Sequence, residues 1–176
     1  MNTAFFDIDT QNDFMLPAGA LYVPGAERIL PQVARLNRWA KEHGIPLIST
    51  ADAHLENDPE FAQWPPHCVA GTFGQRKPDC TQAGQVVLNK RSVDCFTVPE
   101  LPGLLQQLKV EHAVVYGVVT EICVRHAVRG LLERGIRVSL VQDAVRALNE
   151  DEAAAMMRDL EARGGRIARA AEICAA

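Results

Sequence analysis

Residues 112–124 read HAVVYGVVTEICV, and this stretch decides the fold. The apolar run over 112–119 has strand character. Residues 121–134 (EICVRHAVRGLLER) then bring Val124, Ala127, Val128, Leu131 and Leu132 to one face at helical spacing, and Gly135 stops the run. A further apolar run, IRVSLV at 136–141, follows directly. The unit is strand, helix, strand. The same alternation extends in both directions. Residues 3–8 (TAFFDI) predict a strand buried on both faces apart from Asp7. Residues 26–43 place Ile29, Val33, Leu36 and Ala40 at helical spacing, with Pro31 in the first turns, where it disrupts least. Residues 45–50 (IPLIST) and 85–89 (QVVLN) predict the second and third strands, and 100–109 a helix. Asn149 caps a helix that runs to about Arg163 before Gly164 and Gly165 end it, and 166–169 (RIAR) form a short last strand. Residues 52–84 have no period and are rich in Pro, Gly, His and Asp. A loop this long in a compact domain is usually functional or disordered, and its aromatics and Pro-Pro pair favour order.

Alternating elements of this kind predict an α/β fold with a mostly parallel sheet of about six strands and helices on both faces, a three-layer αβα arrangement. One domain spanning 1–176 suits the length. The apolar share is 48% and the charged share 23%, enough to build a core and too ordered a mix for a disordered segment. A net charge of −4 and a pI near 5.7 lack the basic footprint of a nucleic-acid binder. No apolar stretch is long enough to predict a membrane span, and the start, MNTAFFDIDTQNDF, has acids where a signal peptide has a basic region. Five scattered cysteines without a CxxC pair predict free thiols and a cytoplasmic location.

In α/β sheets ligands bind beyond the carboxyl ends of the strands. The first strand ends at Asp9, the second at Ser49–Asp52, the third at Lys90, and the fourth runs into Thr120 with Cys123 on the next helical turn. A carboxylate, a lysine and a thiol therefore share one rim. A helix start and a nearby lysine favour a thiolate, free N–H groups there could hold an oxyanion, and a carboxylate could carry the proton. The competing reading of Cys123 is a small buried apolar residue. Cys68, Cys80, Cys95 and Cys174 read as structural, with Cys95 notable for its closeness to Lys90. Among the early acids, Asp9 reaches the rim, Asp7 lies one step inside on the same face, and Asp13 is expected to pair with backbone in the turn. The long loop offers Asp52, His54, Glu60 and His67, an oxygen and imidazole set that suits Zn, Mn or Fe(II). His43, His112 and His126 sit at element ends and are not expected to be ligands.

DTQNDF (9–14), STADAH (49–54), WPPHCVAGT (64–72), LNK (88–90) and GVVTEICV (117–124) together resemble the nicotinamidase branch of the isochorismatase-like cysteine hydrolases, in the order that family has them. The resemblance implies a Rossmann-like fold and a catalytic triad of Asp9, Lys90 and Cys123. It implies one divalent metal, Zn first and Mn or Fe next, held by Asp52, His54 and His67, with Glu60 as a further loop acid. Phe14 and Trp64 match aromatics that sandwich the substrate ring, and Phe96 is expected to line the pocket in the stretch after Lys90, where relatives vary. Val119 and Cys123 match the oxyanion hole, with a cis peptide at Val118–Val119. The implied reaction is hydrolysis of nicotinamide to nicotinate and ammonia through a thioester, in NAD salvage. Ala53, where nicotinamidases usually carry an aromatic, and Glu121, often Asp, depart from the pattern. The rival readings are a hydrolase of another small aromatic or heteroaromatic amide, a binding protein on an inherited fold, and a thiol redox protein using Cys95 or Cys68 as partner. A small-molecule amide as substrate and assembly as a homo-oligomer, without nucleic acid or membrane, complete the expectations.

Overall fold

The computed structural model describes residues 1–175. Its centre is a sheet of six parallel strands: β1 (Thr3–Ile8), β2 (Leu47–Asp52), β3 (Val86–Lys90), β4 (His112–Val118), β5 (Arg137–Arg146) and β6 (Arg166–Ala168), in the spatial order β3-β2-β1-β4-β5-β6. Strand order reverses between β1 and β4. The chain moves outward from β1 to β3, then returns to the other side of β1. The loops leaving β1 and β4 diverge there and leave a crevice at their carboxyl ends.

The helices are α1 (Asn12–Met15), α2 (Leu30–Glu42), α3 (Glu100–Gln107), α4 (Arg125–Leu132), α5 (Glu150–Ala162) and α6 (Ala170–Ile173). One layer contains α2 and α6, and the other contains α4 and α5. Phe5, Phe6, Ile8, Val114, Val115 and Leu140 are essentially inaccessible in the sheet between them. This burial on both faces is why the strands read as continuous apolar runs rather than alternating ones. Among the described residues no helix is long and apolar enough to cross a membrane.

Several boundaries differ from the sequence expectation, each for a local reason. The predicted helix over 26–43 divides into a 3₁₀ turn at Ala26–Ile29 and α2, which starts one residue before Pro31. Pro31 has no N–H to give to residue 27, so a regular helix can begin only around it. β2 begins after Pro46 rather than at Ile45, and so carries the sheet out to Asp52. β5 runs beyond 141, with a register shift opposite Val115 and Gly117 of β4. Gly117 has φ +120°, and a Cβ there would lie 2.0 Å from the Ile8 carbonyl oxygen, so only glycine fits at that point of closest approach.

Asp7, the acid inside β1, is fully buried and fully engaged. Its Oδ1 accepts from Thr10 Oγ1 (2.5 Å), and its Oδ2 accepts from Asn37 Nδ2 (3.0 Å) and Ser49 Oγ (3.1 Å) with Lys77 Nζ at 3.3 Å. Lys77 comes from the long loop, so this ion pair ties that loop to the sheet. Replacing Lys77 by Met strands a buried carboxylate. The expected loss in urea denaturation is about 3 kcal/mol, the usual scale for breaking one side of a buried pair. A loss below about 0.5 kcal/mol would show that the neutral donors alone satisfy Asp7.

Candidate active site

Four strand ends converge at the crevice. Directly after β1, Asp9 adopts a left-handed backbone (φ 49°), and its buried carboxylate turns back toward β2. Asp9 Oδ1 accepts from Thr50 Oγ1 at 2.6 Å. Oδ2 has the Lys90 ammonium at 2.8 Å but completes no aligned hydrogen bond, which leaves a lone pair available for a proton. Lys90, the last residue of β3, donates to Asp52 Oδ1 (2.5 Å), the Ser92 carbonyl (2.9 Å) and Cys123 Sγ (3.9 Å). Thus Asp9, Lys90 and Cys123 do meet. The peptide bond Val118–Val119 is cis. Cys123 follows in a π turn, Thr120–Val124, which leads into α4. The sequence predicted a plain helix start here.

The electrostatics modify the expectation of a ready thiolate. Burial pushes the Cys123 thiol well above its ordinary pKa; Lys90 opposes this, while Asp9 and Asp52 add to it. The resting group is therefore a thiol, and its proton must leave as the sulfur reacts. Burial, with help from Asp52, also raises Asp9 despite Lys90, which suits a group that takes and returns a proton. Burial would drive Lys90 down, but Asp9, Cys123 and Asp52 hold it well above the usual lysine range. For Asp52 the burial effect is outweighed by Lys90 and His54, so its carboxyl lies below the ordinary range.

Asp52 is shared between two assemblies. Its Oδ1 accepts a hydrogen bond from the Lys90 ammonium, while Oδ2 faces His54 Nε2 (3.7 Å) and His67 Nε2 (3.9 Å). One ligand atom from each of Asp52, His54 and His67 lies within 4.8 Å of the others, and all three residues are buried. His67 Nδ1 donates to the Pro65 carbonyl at 2.7 Å, which leaves its Nε2 with a lone pair. Neither ring nitrogen of His54 completes a hydrogen bond within the protein, although the ring is buried. Burial by itself would lower the His54 pKa, but Asp52 and Asp58 outweigh it and raise it. The same field favours a bound cation. Orphaned buried nitrogens, a carboxylate oxygen and this field fit a divalent transition-metal ion. Glu60, expected as a fourth ligand, lies on the wall of the adjoining cavity and outside this three-atom cluster.

The loop that carries His67 is fixed by side chains from the turn after β1. Gln11 Nε2 donates to the Asp52 and Gln75 carbonyls, and Gln11 Oε1 accepts from Asp52 N–H at 2.7 Å. Its amide acts as an extra peptide group in the sheet. Asp13, expected to pair within its own turn, accepts from Ala20 N–H and also from the distant Cys68 N–H at 2.7 Å, next to His67. His54 and Val69 form an isolated bridge that brings the two histidines together.

The crevice contains a small cavity of about 30 Å³. Phe14, Trp64, Val93, Val118, Val119, Ile122 and Leu148 line it with apolar groups, and Cys123, Asp52, Glu60 and His67 complete the lining. The Phe14 and His67 ring centroids are 5.5 Å apart. Phe96 is not on this wall, contrary to the sequence expectation. Its ring lies against Gly130 of α4, where a Cβ would come within 2.2 Å of it, and under the Arg134 guanidinium at 3.9 Å. The turn Cys95–Thr97 points the side chain back at α4, and Val93 takes the place on the wall. Cys68 and Cys95 are buried, and burial raises both thiols, Cys95 to about 12; such groups make poor resolving thiols.

The isochorismatase domain model matches residues 3–172, nearly the whole described chain. The chain belongs to the isochorismatase family. It is similar to the nicotinamidase of Escherichia coli, at 28% identity over 85% of this chain and 87% of that protein. It is also similar to the maleamate amidohydrolase of Pseudomonas putida, at 25% identity over 92% of this chain and 80% of that protein. A crystal structure of the pyrazinamidase of Pyrococcus horikoshii in complex with zinc superposes with a TM-score of 0.89 at 31% identity, covering 96% of this chain and 99% of that one. Within this isochorismatase-family chain, sequence reasoning missed Val93, Ile122, Leu148 and Asp58 around the site. Only Asp58 had a usable signal, an acid four residues after His54 in the ligand loop. The others are ordinary apolar residues whose position depends on how three loops close.

Proposed function

We propose that this chain is a metal-dependent amidohydrolase that converts nicotinamide to nicotinate and ammonia through a thioester on Cys123. The observation that carries this reading is that one small cavity is lined by Phe14, Trp64, Asp52, His67 and Cys123, with Lys90 joining the thiol to Asp9 and His54 completing the Asp52–His54–His67 donor set. Both the E. coli relative and the zinc-containing neighbour act, by name, on aromatic ring amides, which supports it.

A divalent ion held by Asp52, His54 and His67 would supply a Lewis-acid contact for the ring nitrogen. The remaining work falls to the chain's own groups. Phe14 and Trp64 hold the ring flat and exclude water. Asp9 Oδ2 takes the Sγ proton as the sulfur bonds to the carboxamide carbon. The Val119 and Cys123 backbone N–H groups receive the developing oxyanion. Asp9 returns the proton to nitrogen as the C–N bond breaks and ammonia leaves. Asp9 then accepts a proton from water as its oxygen attacks the thioester, and the thiol leaves with that proton. Lys90 keeps Asp9 ionised between these transfers.

The walls also favour an uncharged substrate. None of the lining residues is a lysine or arginine, and Glu60 faces the same space. A carboxylate-bearing amide such as maleamate would have no side-chain cation to pair with there. With zinc-loaded protein, kcat/KM for nicotinamide is expected to exceed that for maleamate by at least about 10²-fold, the scale of an unpaired charge in a closed site. Pyrazinamide, whose ring has the same shape and a nitrogen in the same place, should be turned over too. Ammonia release measured on all three amides checks this, and a preference for maleamate would remove the nicotinamidase reading.

A further inference from the structure

Asp58 has no part in the scheme above, yet it is buried against the ring of His54. Its Oδ2 lies 3.3 Å from His54 Nδ1 and accepts from Arg91 Nε at 2.8 Å, while its Oδ1 accepts from Glu60 N–H at 3.1 Å. We propose that Asp58 is a positioning residue of the metal centre, which holds the His54 ring with the proton on Nδ1 and the Nε2 lone pair directed toward Asp52 and His67. This rests on the metal reading under Proposed function.

An imidazole binds a metal through one nitrogen only while the other carries the proton, and the partner of the second nitrogen decides which is which. His67 has its Nδ1 fixed by the Pro65 carbonyl. The acceptor that faces His54 Nδ1 is the Asp58 carboxylate, at hydrogen-bond reach though not yet aligned. Asp58 is itself held from two sides, by the main chain at Glu60 and by Arg91, next to Lys90 on the end of β3. It therefore does not follow the ring but sets its place. A purely structural role is the competing explanation, with Asp58 serving only to staple the 55–64 segment to Arg91. The two explanations part at Arg91. If stapling is all that counts, losing Arg91 should harm the metal site as much as losing Asp58.

The test is zinc affinity of the metal-stripped protein, measured against a chromophoric chelator with no substrate present. Asp58→Ala is expected to weaken zinc binding 10- to 100-fold, as loss of a carboxylate behind a metal-bound histidine does. Asp58→Glu should recover most of this, and Arg91→Ala should change affinity less than about threefold, since it leaves the carboxylate facing His54. Should Asp58→Ala not fold, Asp58→Asn keeps the volume and is expected to weaken zinc about tenfold. In the cobalt-loaded protein the visible ligand-field bands should shift in Asp58→Ala and stay in place in Arg91→Ala. Unchanged zinc affinity in the Asp58 variants overturns the proposal, and so does equal weakening by Arg91→Ala. If the wild-type protein binds no zinc, the metal reading itself has failed; if it binds and Asp58 is inert, only this inference has.

Discussion

Cys123→Ala is expected to lower ammonia release from nicotinamide by about 10⁴-fold or more, with the fold and zinc content unchanged. Removing a nucleophile deletes the covalent route, and residual rate then comes only from binding and the oxyanion hole. The structure explains why the effect should be confined to chemistry. Lys90 keeps its bonds to Asp52 and Ser92 and its ion pair with Asp9 without the sulfur. Asp52, His54 and His67 are the candidate metal donors, and Cys123 is not among them. Cysteine and alanine differ by one sulfur, whose polar contact with Lys90 is long at 3.9 Å, so alanine should cost less than about 1 kcal/mol in denaturant unfolding. The measurement pairs steady-state ammonia release with zinc content and a urea curve. Activity within tenfold of wild type would eliminate the thioester scheme.

The second large effect is expected at Lys90, where Lys90→Met keeps the length of the side chain and removes its charge. The ammonium lies 2.8 Å from Asp9 Oδ2 and 2.5 Å from Asp52 Oδ1, and it is what allows both buried carboxylates to be ionised together. Without it two like charges share a site of low polarity. Asp9, already raised by burial, is the one that will hold a proton, and a protonated Asp9 cannot accept the thiol's. At neutral pH kcat should fall about 10³-fold, the scale of a lost general base, while KM changes little because Phe14 and Trp64 still hold the ring. The reaction needs Asp9 ionised. A higher Asp9 pKa therefore moves the acid limb of the rate profile to higher pH, and raising the pH should restore part of the loss. Unfolding free energy should drop by about 3 to 5 kcal/mol, because the change leaves uncompensated buried charge. A pH profile of kcat/KM decides the matter. An acid limb at its wild-type position would mean that Lys90 does not control Asp9.

The two effects trace to different kinds of legibility. Cys123 was readable because a thiol just past an apolar run that ends a parallel strand can only lie on the ligand-binding rim. Lys90 was readable for the same reason, once QVVLN was seen as a strand. The consequence for the thiol's acidity was not. A helix start and a lysine argue for a thiolate, and only the folded site shows that burial with Asp9 and Asp52 outweighs them. Phe96 shows the opposite failure. Its place after Lys90 suggested the pocket, but the turn at Cys95–Thr97 sends the ring into the gap above Gly130. Asp13 was read as a local turn former; it does accept from the nearby Ala20 N–H, and it also accepts from Cys68 N–H, far along the chain.

The sequence by itself determined the alternation of strands and helices, the parallel sheet and the rim on which Asp9, Asp52, Lys90 and Cys123 stand. Those features follow from hydrophobic period and chain direction, which are local. Tertiary structure alone decided that Asp52 divides its two oxygens between Lys90 and the histidine pair, that Asp58 stands behind His54, and that Val93, Ile122 and Leu148 close the slot. These arrangements depend on distances between loops far apart in the chain, set by strand order at the β1/β4 reversal and by the side chains of Gln11 and Asp13 that fasten one loop to another.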